Sequence, residues 1–208
     1  WQKRSKKIGR PIKSIDQLYA QAVVLNVVLG SKVRLWAEAS RGMFPVKSKI
    51  EGHRTRVSYL LVGESLEGDQ CEVVQGTNQR QPLKKHRRGI EKMMRSYGND
   101  PSRLVDIARH AIVFETLADI SLCLNIIRLD HEVDVLRVKN RLSESYDVNE
   151  SAGYRDVCLN ICVVNPVTTA LGAETHVCEV QLILRKFAEL KTKNGHSRYV
   201  RFRNARGC

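Results

Sequence analysis

Glu179 and Gln181 are the residues in this chain that most need a chemical explanation. The run Cys178-Glu179-Val180-Gln181-Leu182-Ile183-Leu184 reads as a strand whose side chains alternate between faces. Cys178, Val180, Leu182 and Leu184 share one face, while Val177, Glu179, Gln181 and Ile183 share the other. An acid and an amide bracketed by Val and Ile suit a half-buried cleft that holds a cation or a nucleotide. A carboxylate there is costly without a partner, and an ion pair with lysine or arginine would satisfy it as well as a metal would. A second set of reactive groups is cationic. Lys84, Arg88, Lys92 and Arg95 fall at helical spacing and make one basic stripe suited to phosphate or nucleic acid, or to a solvated face. A third lies near the end of the chain, where Arg198, Arg201, Arg203 and Arg206 alternate with Tyr199 and Phe202, a pattern that fits phosphates and stacked bases. Cys158 and Cys162 lie on one predicted strand, roughly 13 Å apart at strand rise, too far for one metal.

The elements that must position these groups follow from periodicity. Residues 1–13 are basic, with Gly9 and Pro11, and read as an extended arm. Ser14 is an N-cap for a helix carrying Leu18, Ala22, Leu25 and Leu29, with a break expected at Gly30-Ser31 and a continuation towards Gly42. Residues 43–69 carry little periodic signal, with Val57 to Val62 reading as a short strand or a helix end, and 14–69 is taken as a helical N-terminal extension. Cys71–Val74 reads as a strand and Leu83–Tyr97 as a helix. Val105–Phe114 is a strand, Leu117–Arg128 a helix and Glu132–Val138 a strand. Two adjacent antiparallel strands then flank the turn at Asn165, Pro166 and Gly172, and a closing helix spans Leu184–Lys191. The sum is an α+β fold: a mixed sheet of about five strands with packed helices. The main domain occupies 70–200, with a basic tail over 201–208.

These motifs together resemble the RelA/SpoT-like nucleotidyltransferase domain. Gly153-Tyr154-Arg155-Asp156 is similar to its Gly-Tyr motif, and Cys178-Glu179-Val180-Gln181-Leu182 to its Glu-Val-Gln motif. Leu104-Val105-Asp106-Ile107 resembles its metal-binding Asp strand, Lys84 to Lys92 its basic helix, and Gly195-His196 with Tyr199 its late His-and-Tyr segment. The resemblance implies transfer of pyrophosphate from ATP to the ribose 3′-hydroxyl of GDP or GTP. Asp106 and Glu179 would hold Mg²⁺, with Glu179 also the base. Lys84 and Lys92 would grip phosphates, Tyr154 would stack on the acceptor base, and Gln181 and His196 would contact nucleotide. Without that role, Asp106 is a satisfied polar residue at a strand entrance, and His196 a hydrogen-bonding anchor. The chain departs from the family at three places: Ala111 stands where the Asp strand carries Arg, Asp156 and Cys158 replace Ser and His after Gly-Tyr, and Pro82 replaces an Arg. Strict alternation places Arg109 on the face opposite Asp106.

Composition bounds the partners. The chain has 208 residues and 35 Lys plus Arg against 22 Asp plus Glu, a formal charge of +13, which favours polyanions. The longest apolar run, Ala20 to Leu29, is interrupted by Gln21 and Asn26 and is too short to cross a bilayer, so no membrane partner is expected. Six scattered cysteines point to a reducing compartment. The chain begins with Trp1, which is compatible with a removed organelle-targeting presequence, as for a mitochondrial protein, or with a start inside a longer protein. Two functions remain. The missing Arg and His favour a RelA/SpoT-like scaffold without catalysis or cofactor. It would dock on RNA and neighbouring proteins of a ribosome-like ribonucleoprotein through Lys84, Arg88, Lys92, Arg198, Arg201 and Arg203. The intact Asp106, Glu179 and Tyr154 favour a working Mg²⁺-dependent pyrophosphokinase.

Overall fold

The computed structural model describes residues 12–50, 54–64, 73–75, 81–151 and 153–190. One mixed sheet runs in the order β2-β1-β4-β7-β6-β5. Its strands are β1 (Met43–Ile50), β2 (Arg54–Leu61), β4 (Arg109–Phe114), β5 (Val133–Asn140), β6 (Val157–Val163) and β7 (Cys178–Leu184), and a short β3 (Val73–Gln75) pairs with β1. β4 and β7 are parallel; the other pairs are antiparallel. The helices are α1 (Ile15–Ala39), α2 (His86–Ser96), α3 (Leu117–Leu129), α4 (Pro166–Ala170) and α5 (Arg185–Leu190). The α+β class and the mixed sheet agree with the pattern of apolar residues, and the sheet is larger than the five strands expected.

The added strands correct the helical reading of 14–69. That reading holds over α1, but 43–61 forms a hairpin that joins the sheet through Met43 opposite Val113 of β4. Lys47, Lys49 and Pro45 in β1 and Arg54 and Arg56 in β2 masked the strand period, because only a half-buried strand shows a clean apolar alternation.

α1 starts where Ser14 Oγ accepts a hydrogen bond from the Asp16 N–H at 3.2 Å, as the capping signal predicts. It does not break at Gly30. The stripe Leu18, Ala22, Leu25, Leu29, Val33 and Trp36 continues through the glycine, and burying it on one sheet face outweighs the roughly 1 kcal/mol helical cost of Gly. Against that stripe stand Ile112 and Phe114 of β4, Leu159 and Ile161 of β6, and Val180 and Leu182 of β7. By length and composition α1 is long and apolar enough to cross a membrane, with a mean hydropathy of 1.2 over an 18-residue window, a test that a buried core helix also passes. Its polar interruptions nevertheless have partners in this core. Gln21 Nε2 donates to Gly172 O at 3.0 Å, Asn26 Nδ2 to Gln81 O at 2.9 Å, and Asn26 Oδ1 lies 3.0 Å from His110 Nε2.

With α1 on one face, the other face of the central strands carries the polar residues. The alternation expected of 178–184 is observed: Cys178, Val180 and Leu182 are buried, and Glu179 and Gln181 are half-buried.

Candidate active site

The strand register maps the polar face. Glu179 stands beside Arg109 of β4 on one side and Asn160 of β6 on the other, and Gln181 stands between Ala111 and Cys158. Residues paired across neighbouring strands leave the sheet on the same face. Arg109, Ala111, Cys158, Asn160, Glu179 and Gln181 therefore share one surface. This corrects the placement of Arg109. Asp106 is not in a strand; it lies in irregular chain before β4, so counting alternate residues from it does not predict where Arg109 points.

Asp106 is 8% exposed and holds two ammonium groups on a single oxygen. Its Oδ2 accepts from Lys84 Nζ at 2.5 Å and from Lys92 Nζ at 3.0 Å. Burial opposes ionisation of this carboxyl, but Lys92 and Lys84 more than offset it and hold the group below the usual carboxylate range. Burial, with the neighbouring charge of Lys92, lowers the Lys84 amine despite the pull of Asp106. For Lys92 burial acts in the same sense, yet Asp106 and Tyr97 win and raise it. Tyr97 lies under Lys92, with its ring centroid 5.3 Å from Nζ. Tyr19 Oη donates to Lys84 O at 2.7 Å, and burial together with the Asp106 charge pushes that phenol up to about 12. The other oxygen of Asp106, Oδ1, is buried and has no hydrogen-bond partner among the described residues.

Glu179 faces the same space from the sheet. Its Oε1 accepts from Gln181 Nε2 at 2.8 Å, and it forms a hydrogen bond with the Cys158 thiol. Burial raises the Glu179 carboxyl and the charge of Asp106 raises it further, while Cys158, Lys92 and Arg109 work against them. Two carboxylates that sense each other's charge, with three cations around them, form a compact polar centre.

Tyr154 lies beside this centre at the entry to β6. Burial and then the Asp156 carboxylate, to which it hydrogen-bonds, raise the phenol far above its ordinary value. Asp156 is fully buried and ion-paired with Arg141, whose own N–H also donates to Asp156 O at 2.8 Å. The negative charge of Asp156 is thus neutralised inside the protein and is not presented to a phosphate. Arg155 Nη1 donates to Arg141 O and Ser143 O, both at 3.1 Å, which ties the 140–156 loop to the start of β6. Neither Arg141 nor Tyr97 was singled out from sequence, since each sits in irregular chain with no local pattern that names its partner.

The basic stripe divides. α2 begins at His86, so Lys84 precedes it, and Lys84 and Lys92 both turn inward to Asp106. Arg88 is exposed and pairs with Glu91 at 2.9 Å, beside Lys85, Arg87 and Arg95, which are also exposed. His196, Arg198, Arg201 and Arg203 lie outside the described residues.

Among the described residues no three His, Cys, Asp or Glu side chains form a metal cage. Mg²⁺ does not need one, because it takes one or two carboxylates and completes its octahedron with phosphate oxygens and water. The unpartnered Oδ1 of Asp106 and the neighbouring Glu179 carboxylate fit that requirement.

No family model matches the chain, and comparison with curated proteins finds no match either. Among solved structures, the chain is similar to small alarmone synthetase 1 from Bacillus subtilis bound to its product pppGpp. Identity is 18%, covering 57% of this chain and 59% of that one, with a TM-score of 0.47. Small alarmone synthetase 2 from the same organism is 20% identical over 59% of this chain and 61% of its own, with a TM-score of 0.44. The match therefore spans about three fifths of the length of those synthetases. A chain of the complex between the Type VI effector Tas1 and its immunity protein is 14% identical over 92% of this chain and 77% of its own, with a TM-score of 0.46.

Proposed function

We propose that the chain is a Mg²⁺-dependent nucleotide pyrophosphokinase that makes (p)ppGpp-type products from ATP and a guanine nucleotide. The observation that carries this reading is the meeting of Asp106, with its two lysines and an Oδ1 that no described residue partners, and the half-buried Glu179 on the polar face of the sheet. Lys84 and Lys92 would exchange Asp106 for the triphosphate, and Tyr154 would offer its ring to the acceptor base. Bound Mg²⁺, held by Asp106 and Glu179, would supply charge neutralisation on the phosphates. In the transfer, the acceptor hydroxyl oxygen bonds to the β-phosphorus of ATP. The bond from that phosphorus to the oxygen bridging the α and β phosphates breaks, and AMP leaves with the electron pair. The hydroxyl proton passes to Glu179, whose raised affinity for protons suits a base that must accept one near neutral pH.

Labelled ATP, GDP or GTP, and Mg²⁺ test it. Labelled guanosine product from the wild type, lost at least a hundredfold in Glu179→Gln, is the expected result. The second reading, a non-catalytic scaffold on RNA, draws on the +13 charge and on exposed Lys85, just before α2, with Arg87 and Arg95 of α2. No product with either acceptor, together with salt-steep RNA binding that ATP does not displace, would establish that reading instead.

A further inference from the structure

The cations of the cleft are not equivalent. Lys84 and Lys92 already share a carboxylate, whereas Arg109 forms no ion pair among the described residues. It opens β4 directly beside Glu179 of the parallel neighbour, and the backbone supports that placement: Glu179 N donates to Ala108 O at 3.0 Å. Its side chain is exposed, although it rises from a strand whose other residues are buried or half-buried. Ala111, the next residue of β4 on the same face, is small. The charge of Arg109 reaches Glu179, Lys84 and Tyr19, which sit on β7, on the chain before α2 and on α1. An exposed arginine beside Glu179, with no ion pair among the described residues, is a cation available to an anionic ligand.

We propose that Arg109 binds the pyrophosphoryl group being transferred, at its β-phosphate, and holds it beside Glu179. The inference rests on the pyrophosphokinase reading and gives it a residue that motif position does not supply. A guanidinium offers two parallel N–H donors to two phosphate oxygens, and it stays charged whatever the surrounding burial. Lys84 and Lys92 are both engaged by Asp106, which leaves Arg109 as the cation beside Glu179 that no described carboxylate holds in an ion pair.

Arg109→Ala and Arg109→Lys test this in the full chain, with a non-hydrolysable ATP analogue titrated calorimetrically and turnover measured with ATP and GDP or GTP. Arg109→Ala should lower kcat/KM by about a hundredfold to a thousandfold, mostly in kcat, as loss of a donor to developing charge does elsewhere. Arg109→Lys should restore less than a tenth of the lost activity, since an ammonium cannot reproduce the fork. Wild-type turnover with Arg109→Ala within threefold of it overturns the proposal. If the wild type shows no turnover, the pyrophosphokinase reading fails separately and the analogue decides Arg109. A tenfold or greater loss of affinity in Arg109→Ala supports a phosphate site, and unchanged affinity rejects it.

Discussion

Asp106 balances one negative charge against two ammonium groups, so its surroundings are locally positive before any ligand arrives. A divalent cation on its own meets that repulsion, whereas a polyphosphate gives both lysines a better counter-ion and frees the carboxylate. Lys92→Met should therefore change two affinities in opposite directions. Mg²⁺ alone should bind about tenfold more tightly, and ATP about tenfold more weakly, given the worth of one charge-assisted hydrogen bond. Calorimetric titration of each ligand reads both, and movement in the same direction would mean that the lysine serves the fold and not the ligand. At this scale Glu179 and Gln181 were legible in the sequence, because a polar pair on an apolar strand breaks the pattern around it. Arg109 was not, because its orientation depends on where β4 begins, and a coil residue such as Asp106 gives no phase for the alternation. Arg141 was hidden for a different reason: its partner Asp156 lies across the 140–156 loop, and only the folded loop brings the two together.

At the scale of elements, the site depends on how closely α1 lies against the sheet. Gly42 joins the helix to β1, and its N–H donates to Ala37 O at 2.7 Å. A β-carbon there would fall 2.4 Å from Ile112 Cγ2 and 2.9 Å from the Ala37 backbone Cα, so the helix and β4 would have to separate. Gly42→Ala should cost about 2 kcal/mol, in the range of overpacked cores, and urea unfolding with an unchanged slope would show it. A stability equal to wild type would mean that the junction gives way without cost. The strands β6 and β7 were legible for the same reason that α1 was, since long apolar periods record burial. The hairpin of β1 and β2 was not, because its charged residues suppress the alternation even though its backbone completes the sheet.

For the whole molecule, two buried histidines make stability depend on pH. His110 and His176 are both lowered to about 4, chiefly by burial, with Asn26 and Gln21 as their side-chain partners. In the unfolded chain they titrate near the ordinary value of about 6.5. Below that pH the unfolded state binds protons that the folded state refuses, so stability is full above about 6.5 and falls as pH drops towards 4. Each histidine contributes about 1.4 kcal/mol per pH unit in that window. Glu179 acts in the opposite sense from its unperturbed 4.5 upward, since its folded carboxyl is raised. Urea unfolding at pH 7 and pH 5 should therefore show a loss at the lower pH, and His110→Asn should flatten it. A variant slope as steep as the wild type would remove His110 from the account.

The parallel pairing of β4 with β7 also sets an order in time. Lys84, Lys92 and Asp106 are neighbours along the chain, so they can meet as soon as the first part of the sheet has formed. Glu179 reaches them only after α3, β5, β6 and α4 have wound back and laid β7 beside β4, a closure that no hairpin can shorten. A chain still being made can therefore carry Asp106 with its two lysines, a locally positive cluster, before the second carboxylate exists. The pair of carboxylates is complete only once β7 has been laid beside β4.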